Sequence, residues 1–576
     1  MKSNNILFPI TFPRSFSAED TSSFLRHSGN VFVKVDSLSL KENSWISTDT
    51  YHNLFAKNKI SALTDYSDYK FRIIGHGNCM VEVISITKND HYTFESFVTS
   101  VHLEDNFDTD ILVENNIQCD ALYVKVTAID DTEIKEISVC AINNKPKNVK
   151  VAYCICSFNR EPFVKKFVDE VASKFIGCDD IKFFISNNGP DYNIEFPNNF
   201  EVIKNRNLGG AGGFTRAMVA AIDQGSFTHV ILADDDIHLH KGVIDKTIYL
   251  LKGLKQEYSD HFISGSMLSL EESWLQYERN SLLTDGGFVH FGHFNDTRSK
   301  ADAISNAIVM PHKGLAGWWY CVIPVKEIKE FDLPLPIFVR GDDVEYSTRC
   351  ARKIISVNGI CVWHEPFIKK YNEIMEDYYL CRNLVLISYL YDSSHRNLRK
   401  KFIVKKFIKN ILVFDYVSAE FNLLALEHLV NEVYLQDADT LHKELFAELK
   451  NKMELIPVYN ADYTGYEDRR MGKLKTLLLL ILQQGFGISR GTRSTLGGFR
   501  RSIMNFTGVK EMHVYQGSQT YRIYRFDYFR SWSILLKFFK MNLIMRINNK
   551  SLKMNVLKFR EEKSKLSSWR EIFSRD

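Results

Sequence analysis

Two grammars of apolar positions divide the chain. Up to about residue 146 the apolar residues come in short, β-branched or aromatic, partly alternating runs. They are Val31-Phe32-Val33-Lys34-Val35, Tyr69-Lys70-Phe71-Arg72-Ile73-Ile74, Val81-Glu82-Val83-Ile84-Ser85-Ile86 and Leu122-Tyr123-Val124-Lys125-Val126. Turn residues such as Gly75-His76-Gly77-Asn78 and Lys88-Asn89-Asp90 separate them. Short strands at this spacing predict a β-sandwich, jelly-roll-like, over residues 1–146. A structural or oligomerising module is the plain reading of it, with carbohydrate binding as the alternative. Asn143-Asn144-Lys145-Pro146-Lys147-Asn148 reads as a linker.

From Val149 onward, strands alternate with helices. Val149 to Cys156 is a strand, Ser157-Phe158-Asn159-Arg160 a polar turn, and Glu161 to Phe175 a helix. Ile181 to Ser186 forms the next strand, ending in Asn187-Asn188-Gly189. Phe200 to Ile203 is a third; a Gly-rich loop runs through Asn207-Leu208-Gly209-Gly210-Ala211-Gly212-Gly213-Phe214 into a helix from Thr215 to Gln224. Then Thr228-His229-Val230-Ile231-Leu232-Ala233 leads into Asp234-Asp235-Asp236. Buried parallel strands read as continuous apolar runs, and open α/β sheets bind ligands at the carboxyl ends of their strands. The alternation predicts a doubly wound core over residues 147–390. Beyond it, Phe402 to Val413 and Ala419 to Tyr434 are amphipathic, Leu474 to Leu482 is too short to cross a bilayer, and residues 391–576 read as a helical domain.

Composition narrows the class. With 576 residues the chain needs several cores. A net charge of +3 gives no field for nucleic acid. Ten cysteines without CxxC spacing fit free thiols in a reducing cytoplasm. Met1-Lys2-Ser3-Asn4-Asn5 opens no apolar secretory segment. Charge is local instead: residues 531–576 carry 11 Lys and Arg against 4 Asp and Glu. There, Trp532, Leu535, Leu536, Phe538, Phe539, Leu543 and Ile544 interleave with Lys537, Lys540 and Arg546. That pattern predicts an interfacial helix on an anionic leaflet, with a helix packed on its own domain as the alternative.

The candidate chemistry starts at the triplet. Three adjacent carboxylates repel unless a cation sits among them. Carboxylates with a diphosphate are a usual setting for Mg²⁺ or Mn²⁺. On the triplet alone, an acidic turn after a strand is an equal reading. The Gly-rich loop lacks both GxGxxG and a Walker lysine, so dinucleotide and P-loop readings fail. Phe338-Val339-Arg340-Gly341-Asp342-Asp343-Val344-Glu345 presents a second acidic cluster opening a helix from Val344 to Ala351, and Gly317-Trp318-Trp319 sets two indoles beside glycine. Ile360-Cys361-Val362-Trp363-His364-Glu365-Pro366-Phe367 ends a strand in a histidine.

Taken in order, Phe158-Asn159-Arg160, the Asn207–Phe214 loop, the triplet, Gly317-Trp318-Trp319, Asp342-Asp343-Val344-Glu345, Trp363-His364-Glu365-Pro366-Phe367 and Tyr378-Tyr379-Leu380-Cys381-Arg382-Asn383 resemble the GT-A glycosyltransferases of family 2. Among these they resemble the bacterial galactofuranosyltransferases that extend galactan. The resemblance covers roughly residues 1–390. It implies a GT-A core between an N-terminal sandwich and a helical C-terminal domain. It implies UDP-galactofuranose as donor, Mn²⁺ or Mg²⁺, and inverting transfer to a growing, lipid-linked polysaccharide. By position it implies Asp234, Asp236 and His364 as metal ligands, Asp343 as base beside Asp342 and Glu345, and Phe158, Arg160, Asn187, Asn207 and Asp235 around the donor. Trp318 and Trp319, with His364 at their margin, would line the acceptor. The enzyme would be cytoplasmic, peripheral on the inner face of the plasma membrane, and compatible with homo-oligomerisation. A chain cut after Tyr528 is expected to keep donor binding. A family 2 transferase using another nucleotide sugar, a two-metal nucleotidyltransferase and a non-catalytic glycan-binding protein are the alternatives.

Overall fold

A computed structural model describes residues 6–575, apart from 14–17, 35–36, 115, 144, 241, 367–371, 436–437, 454, 458–470, 496–501 and 518–519. Val35, Asn144 and Phe367, which belong to motifs named above, lie outside the described residues.

The N-terminal region folds as two antiparallel sheets of six and five strands. All four expected strands are present, as Val31–Val33, Ser67–His76, Cys79–Lys88 and Ala121–Ala128. Strict alternation along Ser67–His76 turns Tyr69, Phe71 and Ile73 into the core between the sheets. Seven of these eleven strands escaped the pattern, among them two at sheet edges. Thr93–Leu103 and Asn106–Leu112 are the last strands of their sheets. Thr93–Leu103 is exposed along most of its length, so no apolar period marks it.

The N-terminal sheets buttress the central α/β region. Phe24 stacks on His52 with centroids 3.9 Å apart, and His52 stacks in turn on Trp363 at 5.5 Å. Two lysines are buried at the seam, bonded to carbonyls across it. Lys59 Nζ donates to Ser356 and Asn306 C=O at 3.0 and 3.2 Å, and Lys246 Nζ to His52 C=O at 2.7 Å.

After the linker comes a seven-stranded mixed sheet. Val151–Ser157 is central, with parallel neighbours Ile181–Asn187 and then Phe200–Lys204 on one side and His229–Asp234 on the other. Cys321–Pro324 pairs antiparallel with His229–Asp234, and Phe262–Ser264 and Ile354–Ile355 complete the sheet. The register aligns Cys156 with Asp234 and Ser157 with Asn187, so the carboxyl ends of these parallel strands share one edge. The helix after the glycines starts at Gly209, six residues before the expected Thr215. Its glycines are a packing device. A Cβ on Gly213 would stand 2.2 Å from Cys156 Sγ, so the helix lies closer to the central strand than any side chain would allow. A smaller sheet orders Asn295–Asp296, Leu275–Glu278, Ser266–Ser269 and Cys361–His364.

Two expectations for the C-terminal third change. Besides its helices it holds a four-stranded sheet of Leu455–Pro457, Thr520–Arg525, Glu511–Gly517 and Thr492–Thr495. And the last helix, Leu566–Phe573, belongs to the core of the central α/β region. Trp569 is 1% exposed there and donates its Nε1–H to Pro334 C=O at 2.8 Å. Truncation after Tyr528 would therefore open that core, contrary to the expectation that the donor site would stand alone.

The seam lysines give a pH signature. Burial pushes each ammonium down to about 7. Unfolded, each keeps its proton to about 10.4. Between those values the unfolded chain binds more protons, so stability rises with pH. Replacing Lys59 by Met should lower the slope of unfolding free energy, over about pH 7 to 10, by up to about 1.4 kcal/mol per unit. Denaturant titrations at stepped pH measure this; equal slopes would show that Lys59 stays charged in the folded protein.

Candidate active site

The strand His229–Asp234 delivers Asp234 at the sheet edge, and the turn after it carries Asp235 and Asp236. His238 then pairs with Trp363 through two backbone bonds, His238 N–H to Trp363 C=O at 2.8 Å and Trp363 N–H to His238 C=O at 2.9 Å. That bridge joins segments far apart in sequence and sets His364 against the triplet. His364 Nε2 lies 3.2 Å from Asp236 Oδ1 and 3.7 Å from Asp234 Oδ2. Its Nδ1–H donates to Glu365 C=O at 2.6 Å, which holds the ring with Nε2 toward the carboxylates. One atom from each of the three residues falls within 4.8 Å of the others. Two oxygens and one imidazole nitrogen, two of the three residues buried, fit a divalent cation such as Mn²⁺.

The residues expected around a donor divide into two groups. Phe158 is 47% exposed at the end of the central strand, and its N–H donates to Asp235 Oδ2 at 3.3 Å. Burial, and next the adjacent Asp236, push the Asp235 carboxyl up to about 7. Arg160 reaches Asp236 Oδ2 at 3.7 Å, so its cation borders the triplet. Asn207 and Asn187 behave differently. Asn207 Oδ1 accepts from Gly209 N–H at 3.2 Å, at the start of the glycine helix. Asn187 accepts from Gly189 N–H at 3.0 Å and donates to Pro190 C=O at 2.6 Å. Both ends of the Asn187 side chain thus bond within its own turn.

A cleft of about 320 Å³ opens beside Asp234. Asp342, Asp343, Trp318 and Trp319 all line it, with Gly210 from the glycine helix. The acid pair sits at the start of the helix Asp342–Cys350. Asp343 Oδ1 accepts from Val344 N–H at 2.8 Å. Burial raises both carboxyls above the ordinary aspartate range; Asp343 adds to the rise of Asp342, while the Arg340 guanidinium holds Asp343 back.

The loop into this pair is strained. Phe338, Arg340 and Gly341 take φ of 73°, 63° and 93°. For the two residues with side chains this is the left-handed region, which persists only under external constraint. Asn383 supplies much of that constraint. Its Nδ2 bonds to Arg340 C=O at 2.7 Å and Val339 C=O at 3.0 Å, while Arg382 Nη2 donates to Ile337 C=O at 2.8 Å. Ala211 N–H from the glycine helix takes Phe338 C=O at 3.0 Å.

Two further expectations change, those for Glu345 and His364. Glu345 is fully buried, its carboxylate taken by Arg349 and Tyr391, each at 2.9 Å, so it is a structural anion outside the cleft. Trp319 gives its Nε1–H to Gly265 C=O at 2.8 Å, which fixes its polar end in the scaffold. His364 stands with the triplet and is not among the cleft's lining residues. Trp318 lines the cleft edge-on to Phe214, with centroids 5.3 Å apart. Its indole nitrogen is buried with no hydrogen-bond partner among the described residues. The sequence reading missed the opposite wall. There Glu278 pairs with His290 Nδ1, and Arg340 pairs with Glu376. Glu278 and His290 stand on separate short strands without a motif, so no linear signal marks them.

Two outcomes test this geometry. Asp236→Ala and His364→Ala should each weaken Mn²⁺ binding by at least ~10-fold, and Asn187→Ala should leave it unchanged; calorimetric titration with Mn²⁺ reads all three. Asn383→Ala should slow turnover by up to roughly 10²-fold through displacement of the acid loop, with Mn²⁺ affinity intact. Wild-type turnover in that variant would mean the loop holds its shape without the clamp.

No protein-family profile matches the chain. Two curated relatives match part of it. The galactofuranosyltransferase GlfT2 of Mycolicibacterium smegmatis is 25% identical over 269 residues, 44% of this chain and 40% of the relative. GlfT2 of Mycobacterium tuberculosis is 26% identical over 199 residues, 32% of this chain and 30% of the relative. The chain thus spans two fifths or less of the length of these relatives. Among solved structures, a mannosyltransferase from Pyrobaculum calidifontis in complex with GDP-Man and Mn²⁺ aligns with a TM-score of 0.29 at 8% identity, over 54% of this chain and 83% of that one. S. aureus TarS gives a TM-score of 0.27 at 12% identity, over 42% of this chain and 40% of that one. Scores of this size carry no fold argument, and the architecture above rests on its own strand order. Over the stretch that aligns in sequence, the chain is similar to bacterial galactofuranosyltransferases of the GlfT2 type.

Proposed function

We propose that the chain is a metal-dependent, inverting galactofuranosyltransferase. It takes galactofuranose from UDP-galactofuranose and adds it to a growing glycan carried on a lipid at the inner face of the plasma membrane. One observation carries the reading: Asp234 of the Asp-Asp-His cluster lines the same cleft as Asp342, Asp343 and Trp318. The sequence similarity to galactofuranosyltransferases supports the donor sugar.

Asp234, Asp236 and His364 would hold Mn²⁺ or Mg²⁺. When bound, that ion supplies neutralising charge for a diphosphate leaving group. The chain's own residues do the rest. Phe158, at the end of the central strand, is open for a base to lie against, and Arg160 offers a cation beside the triplet. Trp318 lines the cleft with its indole ring, a face on which a sugar can stack. Asp343 takes the acceptor hydroxyl's proton as that oxygen attacks the anomeric carbon. A base works best with its pKa near the working pH, and burial moves Asp343 in that direction. Asp342 beside it keeps the shared site acidic, and Glu278 with His290 faces them across the cleft as a polar wall for the acceptor sugar. The displacement is direct, so no nucleophilic Ser or Cys is required, and alignment of the two sugars supplies much of the rate.

A family 2 transferase with another nucleotide sugar is the second reading, because nothing in the cleft distinguishes a furanose from a pyranose ring. A panel of UDP-sugars with membrane extract, read by UDP release and linkage analysis of the product, separates the two. UDP-galactofuranose should be turned over best. Asp343→Asn should cut turnover by roughly 10²-fold or more while donor binding stays. Turnover of no UDP-sugar would sink the proposal, and loss on Asp342→Asn with full activity of Asp343→Asn would move the base by one residue.

A further inference from the structure

The helix Tyr528–Ile547 has two apolar faces. One packs inward: Phe538 is buried, stacked on Phe407 at 3.7 Å, so it is core and cannot enter a bilayer as the sequence suggested. The other face is open. Phe529, Trp532, Leu536, Phe539, Leu543 and Ile547 recur at helical spacing and are 40–82% exposed. A second exposed stripe, Leu474, Leu477, Leu478 and Ile481, runs along the helix Lys473–Phe486. The end of the second helix meets the start of the first: Trp532 Nε1–H donates to Gln484 C=O at 2.9 Å and the Tyr528 hydroxyl to Gly485 C=O at 3.2 Å. Exposed apolar residues thus run along both helices from their meeting point, forming more apolar surface than scattered exposed residues would give.

A pocket of about 590 Å³ adjoins this surface. It lies between the helices Leu380–Leu390 and Tyr528–Ile547 and the π-helical turn Arg399–Ile403. Its apolar lining includes Val385, Ile403, Leu426, Phe538 and Met545. Three arginines, Arg396, Arg399 and Arg546, and two asparagines, Asn542 and Asn549, supply its polar groups; none of the lining residues is acidic. Arg399 is fixed in the wall, bonded to Ser388 C=O at 3.0 Å and lying over the Tyr389 ring at 4.3 Å. Arg396 and Arg546 are exposed. Phe539 belongs both to the pocket and to the apolar stripe, so the two are continuous.

We infer that this pocket binds the phosphate of an anionic membrane lipid, with Arg396, Arg399 and Arg546 on the headgroup and the lipid's hydrocarbon on the apolar lining and stripe. Guanidinium groups match phosphate oxygens, and an apolar floor matches a chain attached to one. A second copy of the chain fits less well. Lys473, Lys475, Lys537 and Lys540 stand on the two helices and would face their like, whereas an anionic leaflet attracts them. The place is apt. Phe402, on the same π-helical turn as Ile403, lines the catalytic cleft, so lipid pocket and cleft flank one short segment. The inference deepens the membrane part of the proposed function by assigning it a site, and its test reads lipid binding, independent of sugar transfer.

The test uses the full chain and vesicles of phosphatidylcholine with or without phosphatidylglycerol. Two double variants reverse the same charge: Arg396→Glu with Arg546→Glu in the pocket, and Lys537→Glu with Lys540→Glu on the helix outside it. Both should keep the wild-type melting temperature and UDP-sugar binding. Co-sedimentation with the anionic vesicles should fall by about 10-fold or more in the pocket variant and by clearly less in the lysine variant. A short-chain phosphatidylglycerol below its micellar threshold should bind the wild type saturably, the pocket variant not, and inorganic phosphate far more weakly than the lipid. Equal losses in both variants would reduce the effect to diffuse attraction and overturn the site. So would inorganic phosphate binding as tightly as the lipid, or lipid-free self-association that hides the stripe.

Discussion

Negative charge without solvent is the constraint on which this structure turns. Asp234, Asp235, Asp236, Asp342 and Asp343 crowd one edge of the sheet, and burial raises at least three of them toward their neutral forms. Such a cluster is stable only if cations are brought to it. Two come from distant parts of the chain, Arg160 at the rim of the triplet and Arg340 beside the acid pair, while His364 brings an imidazole against the triplet. A divalent cation would complete the compensation, and a diphosphate would then find a site already poised for it. The balancing charges arrive from separate elements and leave Asp234, Asp342 and Asp343 facing a cleft.

Holding those elements in place explains the rest of the architecture. The N-terminal sheets stack Phe24 and His52 behind Trp363, one residue from His364. The acid loop is anchored the other way. Leu335, Ile337, Phe338 and Val344 pack in the core of the C-terminal helices, and Asn383 and Arg382 grip its carbonyls. The last helix returns to cover the central sheet with Trp569. The Asp-Asp-His cluster and the acid pair are thus positioned by different neighbours, which meet at the cleft. Strain at Phe338 and Arg340 is the local cost of aiming two adjacent carboxyls into it.

The same logic gives the C-terminal helices two duties. Their inner faces make the core that shapes the acid loop, and their outer faces are apolar with arginines at the edge. No helix among the described residues is long and apolar enough to cross a membrane.

By itself the sequence determined the elements that repeat a period and the chemistry that sits at their ends. The parallel strands were legible as apolar runs, and the triplet, the Trp pair, the acid pair and His364 were legible because each is a dense local motif near such an element. It also marked the tail helix as amphipathic. Only the tertiary structure decided which polar groups face the cleft. Glu345 stands two residues from Asp343, yet helical geometry turns it to Arg349 and Tyr391. Asn187 ends a strand like Asp234, yet its turn consumes its side chain. Phe538 and Phe539 are neighbours, one in the core and one outside. The physical reason is common to all three. A linear pattern records residue type and period, while the direction of a side chain and the partner that satisfies it depend on the three-dimensional packing of segments that can lie far apart in the chain. The pairing of His238 with Trp363, which makes the Asp-Asp-His cluster, is such a contact.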